Sequence, residues 1–336
     1  MDSAALHEWL KLEERTRLNL FTHAGKQLRL VPAAIEKDWW VTLVLNMVFS
    51  TEFAEHLVFK GGTSLSKAWN IIERFSEDID LVIDRNFLGF EGDLSKTQVK
   101  KLRKASCSFI SSAFVNAIAA KIEEFQIPDV TLSVQNFKDS DTDPLVIELN
   151  YKSLTDDSPY LQPRVLIEVG ARSFMEPNEE REIQSMVGSQ FSDTDFADKP
   201  ISISTVPPKR TFLEKVFLLH EEFQKPTEHN RVERLSRHLY DLDKLMDSQH
   251  SEDALNDFEL YKSIVAHREM FNQIRGIDYA NHHPHKIDFV PPKDIIEKWK
   301  KDYIAMQESM IYGDSKNFED LISSIEKIRE RFSNIG

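Results

Sequence analysis

A chain of 336 residues, 41% hydrophobic and 29% charged, is long enough for one large domain or two modest ones. Its formal net charge of −14 speaks against indiscriminate binding to nucleic acid, which takes a concentrated excess of Lys and Arg, and leaves a local basic patch open. The single cysteine, Cys107, excludes an intramolecular disulfide, a Cys-rich zinc site and a CxxC redox pair; with no secretory pattern near the start and no run of about 18 apolar residues, a cytoplasmic protein without membrane contact is expected.

The N-terminal stretch from Ala4 to Ala24 is amphipathic with helical period, and Pro32 to Phe49 opens with Pro at a first turn and carries Ile35, Trp39, Leu43 and Met47 four apart. Leu57 to Phe59 reads as a strand, Ser64 to Phe75 as a helix, and Ile79 to Ile83 as the next strand. A long helix from Lys96 to Phe125 follows, then strands over Val130 to Phe137, Leu145 to Tyr151, Arg164 to Gly170 and Ile201 to Val206. The Pro207-Pro208 pair marks a boundary. Beyond it the pattern is helical throughout: Thr211 to Gln224, Arg231 to Asp247, Glu252 to Phe271, Lys293 to Met310 and Phe318 to Phe332. The expected class is α+β: a mixed β-sheet flanked by helices over 1–206, then a helical C-terminal domain over 207–336.

Two motifs carry chemistry. Lys60-Gly61-Gly62-Thr63-Ser64-Leu65 stands where a strand hands over to a helix, and glycines there let the backbone approach a phosphate closely, although most strand-to-helix turns use glycine for geometry alone. In Glu77-Asp78-Ile79-Asp80-Leu81, Asp78 and Asp80 alternate with apolar residues, so on a strand both carboxylates share one face. A bridging divalent cation would relieve their repulsion; a polar outer sheet face is the alternative.

Taken together, the Gly-Gly-Thr turn, one helix and Asp-x-Asp on the following strand resemble the DNA polymerase β-like nucleotidyltransferase superfamily. Phe59 to Leu65, Glu77 to Leu81, Glu214-Lys215 and Arg237-His238-Leu239-Tyr240-Asp241-Leu242 are similar, more narrowly, to the AbiEii/AbiGii toxin family that includes the MenT-like toxins. The resemblance implies a nucleotidyltransferase-type sheet and an enzyme that moves a nucleoside monophosphate from a nucleoside triphosphate to an acceptor hydroxyl, releasing pyrophosphate. The toxin role would bring a cognate antitoxin, and the MenT-like members point to the 3′ end of tRNA as acceptor. Protein or small-molecule acceptors, and a non-catalytic partner-binding module, are the alternatives.

By the same resemblance Lys60, Gly61, Gly62, Thr63 and Ser64 would bind the nucleotide, and Asp78 and Asp80 would be catalytic ligands of Mg²⁺, with Mn²⁺ as a substitute. Glu168 would supply a third carboxylate, with Glu148 as the alternative, since each alternates between apolar strand neighbours. Lys215 would stabilise the leaving pyrophosphate. Asp241 would be an essential carboxylate near it, with Arg237 and His238 lining the nucleotide cleft. Arg237 and Asp241, four apart, could instead pair with each other, and Lys215 could be a solvated face residue. His282, His283 and His285 look like loop residues rather than a zinc site, Trp39-Trp40 like core, and Lys96, Lys100, Lys101, Arg103 and Lys104 are either a solvated face or a seat for an RNA backbone.

Overall fold

A computed structural model describes residues 3–76, 78–135, 139–156, 161–272 and 274–333. The chain divides into two compact units. The first comprises Met1–Trp69 and Phe75–Val206, the second Asn70–Arg74 and Pro207–Gly336.

The first unit begins with helices α1 (Ser3–Lys11), α2 (Glu14–Leu28) and α3 (Pro32–Val48). The single N-terminal helix expected from the pattern is thus two. Pro208 later and Pro32 here both occupy first-turn positions, where the missing N–H costs nothing. Strand β1 (Leu57–Lys60), helix α4 (Gly61–Lys67) and strand β2 (Asp78–Ile83) follow. Helix α4 stops well short of the predicted Phe75: Asn70 takes a left-handed φ of 52°, a conformation that ends helices.

Next come α5 (Lys96–Phe109), a π-turn over Ile110–Phe114 and α6 (Val115–Glu124), a continuous helical run opened by a Ser95–Gln98 capping box. This 29-residue run is long and apolar enough by composition alone to cross a membrane, a match that no uninterrupted apolar stretch in the sequence announces. Strands β3 (Val130–Val134), β4 (Leu145–Tyr151), β5 (Arg164–Gly170) and β6 (Glu179–Ile183), helix α7 (Met186–Gln190) and strand β7 (Ile201–Thr205) complete the unit. The predicted end of β3 over 136–137 lies outside the described residues. Strand β6 was not expected at all.

The seven strands form one mixed sheet in the order β3-β4-β5-β2-β1-β7-β6, in which β2 runs antiparallel to β1 and parallel to β5. Alternation sorts its faces: Ile79, Leu81, Val165, Ile167, Leu145 and Ile147 are buried, while Asp78, Asp80 and Glu168 stay half-exposed on the other side. Behind the buried face α3 is solvent-free along nearly its whole length, and its polar residues are satisfied: Glu36 accepts the Leu154 N–H at 2.8 Å, Lys37 donates to the Gln162 carbonyl at 2.7 Å, and Asp38 pairs with Lys67 of α4. Trp39 stacks on Trp9 and Trp40 on Tyr151, so both tryptophans are core.

The second unit is helical: α8 (Pro208–Phe223), α9 (Ser236–Met246), α10 (Gln249–Asn256), α11 (Phe258–Phe271), α12 (Ile296–Ser309) and α13 (Phe318–Phe332). The stretch expected as one helix from Glu252 to Phe271 breaks where Asp257 caps α11 by accepting the Leu260 N–H at 3.0 Å. Segment Asn70–Arg74 belongs here through its backbone, with the Tyr312 N–H donating to the Glu73 carbonyl at 3.0 Å and Arg74 bridging Ile311.

Candidate active site

In the first unit, strand register builds a row across three strands: Lys60 of β1 lies opposite Asp80 of β2, and Asp80 lies beside Glu168 of β5. Neighbouring strands are about 4.8 Å apart, so Asp80 and Glu168 are adjacent carboxylates on one face, with Asp78 two residues along. Glu148 sits beside Leu166, which in turn neighbours Asp78, and it is engaged by Gln135 at 3.1 Å and Arg164 at 3.2 Å. Register therefore places Glu168, and not Glu148, next to Asp80.

Gly61 opens α4 with φ +81°, and a Cβ there would lie 1.9 Å from Asp80 Oδ2. Only a glycine permits both the backbone conformation and the seat of that carboxylate. Thr63 and Ser64 are fully buried, and their hydroxyls serve the turn: Thr63 donates to the Asp78 carbonyl, and Ser64 to the Gly61 carbonyl at 2.9 Å. The two side chains thus tie the glycine turn to the strand bearing the aspartates. Lys60 donates to Ser173 Oγ at 2.9 Å.

One neighbouring carboxylate had no sequence signal. Asp143 is buried, accepts the Ala171 N–H at 3.1 Å and pairs with Arg172 Nε at 3.3 Å, just beyond β5. Burial pushes its pKa up, against the opposing charges of Arg172, Arg103 and Lys60.

The second unit holds a separate, buried cluster. Asp241 of α9 is fully enclosed; Lys215 Nζ of α8 lies 2.8 Å from its Oδ2, and Arg74 donates from Nε to Oδ1 at 2.7 Å and from Nη2 to Oδ2 at 2.8 Å. The suggested Arg237–Asp241 pair gives way to these two partners, while Arg237 is half-buried near Lys215. His238 Nδ1 is 3.4 Å from Lys215 Nζ. Burial would raise the Asp241 pKa, but the charges of Arg74 and Lys215 outweigh it and hold the carboxyl below its ordinary range. Burial lowers the Lys215 pKa against the pull of Asp241, and depresses that of His238 well below 6.5, helped by the Lys215 and Arg237 charges. Asp241 is thus ionised and His238 neutral near pH 7. Sequence reasoning missed Arg74, whose charge sits in irregular chain 167 residues from its partner.

The remaining histidines divide. His282 is buried with Nε2 3.3 Å from Glu221, which also pairs with Arg268, whereas His283 and His285 stack on each other. Among the described residues no three His, Cys, Asp or Glu side chains form a ready metal cage. Magnesium needs none, since it keeps several waters and takes one or two carboxylates together with substrate phosphate oxygens. Asp78 and Asp80, with Glu168 adjoining and the bare Gly61 Cα leaving room at the Asp80 carboxylate, suit such an ion.

A family model for the nucleotidyl transferase AbiEii toxin of type IV toxin–antitoxin systems matches residues 45–329. The chain belongs to the AbiEii family. No curated protein matches it in sequence. The AbiEii span takes in the glycine turn and carboxylate row of the first unit and the Arg74–Lys215–Asp241 cluster of the second. Membership makes nucleotidyl transfer the activity class and a toxin–antitoxin pair the setting.

Proposed function

We propose that this AbiEii chain transfers a nucleoside monophosphate from a nucleoside triphosphate to an acceptor hydroxyl, with the 3′ end of tRNA as acceptor, in the cytoplasm. The observation that carries the reading is the row Lys60, Asp80, Glu168 with Gly61 pressed against the Asp80 carboxylate. Asp78, Asp80 and Glu168 would hold Mg²⁺, or Mn²⁺ in its place; the ion, when bound, offsets charge on the α-phosphate and eases ionisation of the acceptor hydroxyl. Lys60 and the backbone of the turn at Gly61 and Gly62 bind the triphosphate. Bond formation between the acceptor oxygen and the α-phosphorus expels pyrophosphate, and the hydroxyl proton passes to solvent.

Within the second unit, Lys215 is the proposed cation for a phosphate group, with Asp241 fixing its position and Arg237 beside it. Neutral His238 accepts one N–H of the Lys215 ammonium and Asp241 another, which leaves a third for a phosphate oxygen.

The experiment is incubation of purified protein and an Asp80→Ala variant with each α-³²P nucleoside triphosphate, Mg²⁺ and total tRNA, with products resolved on a denaturing gel. Label on tRNA that requires Asp80 is the expected result. Label on protein or on a small molecule would move the acceptor, and no label under any condition would leave a partner-binding module.

A further inference from the structure

Helix α5 departs from the character of the rest of the chain. The sequence holds 56 acidic residues, yet none between Lys96 and Ile122. Lys96, Lys100 and Lys104 recur every four residues and so share one helix face, with Lys101 beside them; all four are exposed. Among the described residues none of the four is in an ion pair. Lys96 sits in the first turn, where the helix dipole disfavours a cation, and the i,i+4 pairs Lys96–Lys100 and Lys100–Lys104 bring like charges together. Folding gains nothing from such an arrangement. In α12, by contrast, Glu297 and Asp302 are interleaved with Lys298, Lys300 and Lys301.

The row also adjoins the candidate active site. Helix α5 packs against β5, the strand of Glu168. On its inner flank Arg103 is near enough for its charge to act on the buried Asp143, which pairs with Arg172 and also feels Lys60, the register partner of Asp80. From Lys96 to Lys104 the helix rises about 12 Å, enough to meet about three phosphates of a strand.

We propose that the exposed lysine row of α5 is the docking face for the phosphate backbone of an RNA acceptor, which it guides toward the carboxylates. The inference rests on the nucleotidyl-transfer reading. An anionic membrane is the less suitable polyanion: apart from the lysines, the exposed positions of the helical run from Lys96 to Glu124 are polar, acidic or alanine, with no large apolar side chain to enter lipid.

The test uses full-length protein and two triple variants of equal charge change, Lys96→Glu/Lys100→Glu/Lys104→Glu on α5 and Lys293→Glu/Lys298→Glu/Lys301→Glu at and on α12. Binding to total tRNA is measured by filter retention without nucleotide, over a salt series, and nucleotide transfer is measured separately. The α5 variant is expected to bind tRNA about ten-fold or more weakly, with a salt slope shallower by about 2, and to show a raised KM for tRNA at unchanged KM for the nucleotide. Equal weakening by both variants, no weakening by either, or no binding by the wild type overturns the proposal. So does lysine-dependent sedimentation with phosphatidylserine vesicles alongside unchanged tRNA binding. Loss of tRNA binding by the α5 variant in a protein that labels no acceptor would keep the docking face and reject the transfer reading; equal transfer by wild type and α5 variant would do the reverse.

Discussion

Arg74 grips both oxygens of Asp241, at 2.7 and 2.8 Å, across 167 residues of sequence. With both side chains enclosed, removal of Asp241 takes the shared counter-charge from Arg74 and Lys215, and removal of Arg74 leaves the buried carboxylate with Lys215 in place of two cations. Arg74→Met is expected to cost about 3 to 5 kcal/mol, and the double variant Arg74→Met/Asp241→Leu less than the sum of the singles. Urea midpoints for the four members of this cycle check it; strict additivity would count against a coupled cluster.

Gly61 and Gly89 separate backbone strain from close approach. Both have positive φ, +81° and +85°, but a Cβ at Gly89 meets nothing within 4 Å while one at Gly61 meets Asp80. Each Ala substitution should cost about 1 to 2 kcal/mol for the left-handed conformation. Only Gly61→Ala should also abolish nucleotide transfer. Thermal midpoints and the labelled-nucleotide assay on both variants decide the matter.

Stability should decline in acid through His238. Its pKa is held well below 6.5 in the folded chain, so its contribution is complete above 6.5 and is lost as pH falls toward the depressed folded value. His238→Gln, which cannot take up the proton, is expected to lose less stability than wild type between about pH 7.5 and about pH 5. Denaturant midpoints at the two pH values give the comparison, and identical losses would contradict it.

Glu168 and Glu148 are distinguished by strand register. Glu168→Gln should raise the Mg²⁺ concentration for half-maximal transfer by about ten- to a hundred-fold, whereas Glu148→Gln should leave it within a factor of about two. A Mg²⁺ titration of transfer for both variants is the measurement, and a larger effect at Glu148 would reverse the assignment.

The strand, turn and aspartate geometry was legible because period-two alternation and paired glycines are local signals. Asp78 and Asp80 declare their shared face within five residues. The helices of the second unit announce themselves likewise, and the Asp257 cap dividing α10 from α11 was available as an Asp three residues ahead of Leu260. Strand β6 was hidden because Glu179-Glu180-Arg181-Glu182-Ile183 is an edge strand with a single buried residue, so no apolar alternation marks it. Arg74 and Asp143 were hidden for another reason: a buried charge gives itself away only through a partner, and here the partner is distant in sequence or lies beyond another strand.

The five residues Asn70–Arg74 also bear on how such a chain can be cut or recombined. A fragment starting at Pro207 would inherit Lys215 and Asp241 without Arg74. Grafting the helical unit onto another protein would require importing a loop encoded more than a hundred codons upstream. The helical unit is therefore no transplantable cassette, and a recombination event at the Pro207 boundary would divide a buried charge cluster between two parents.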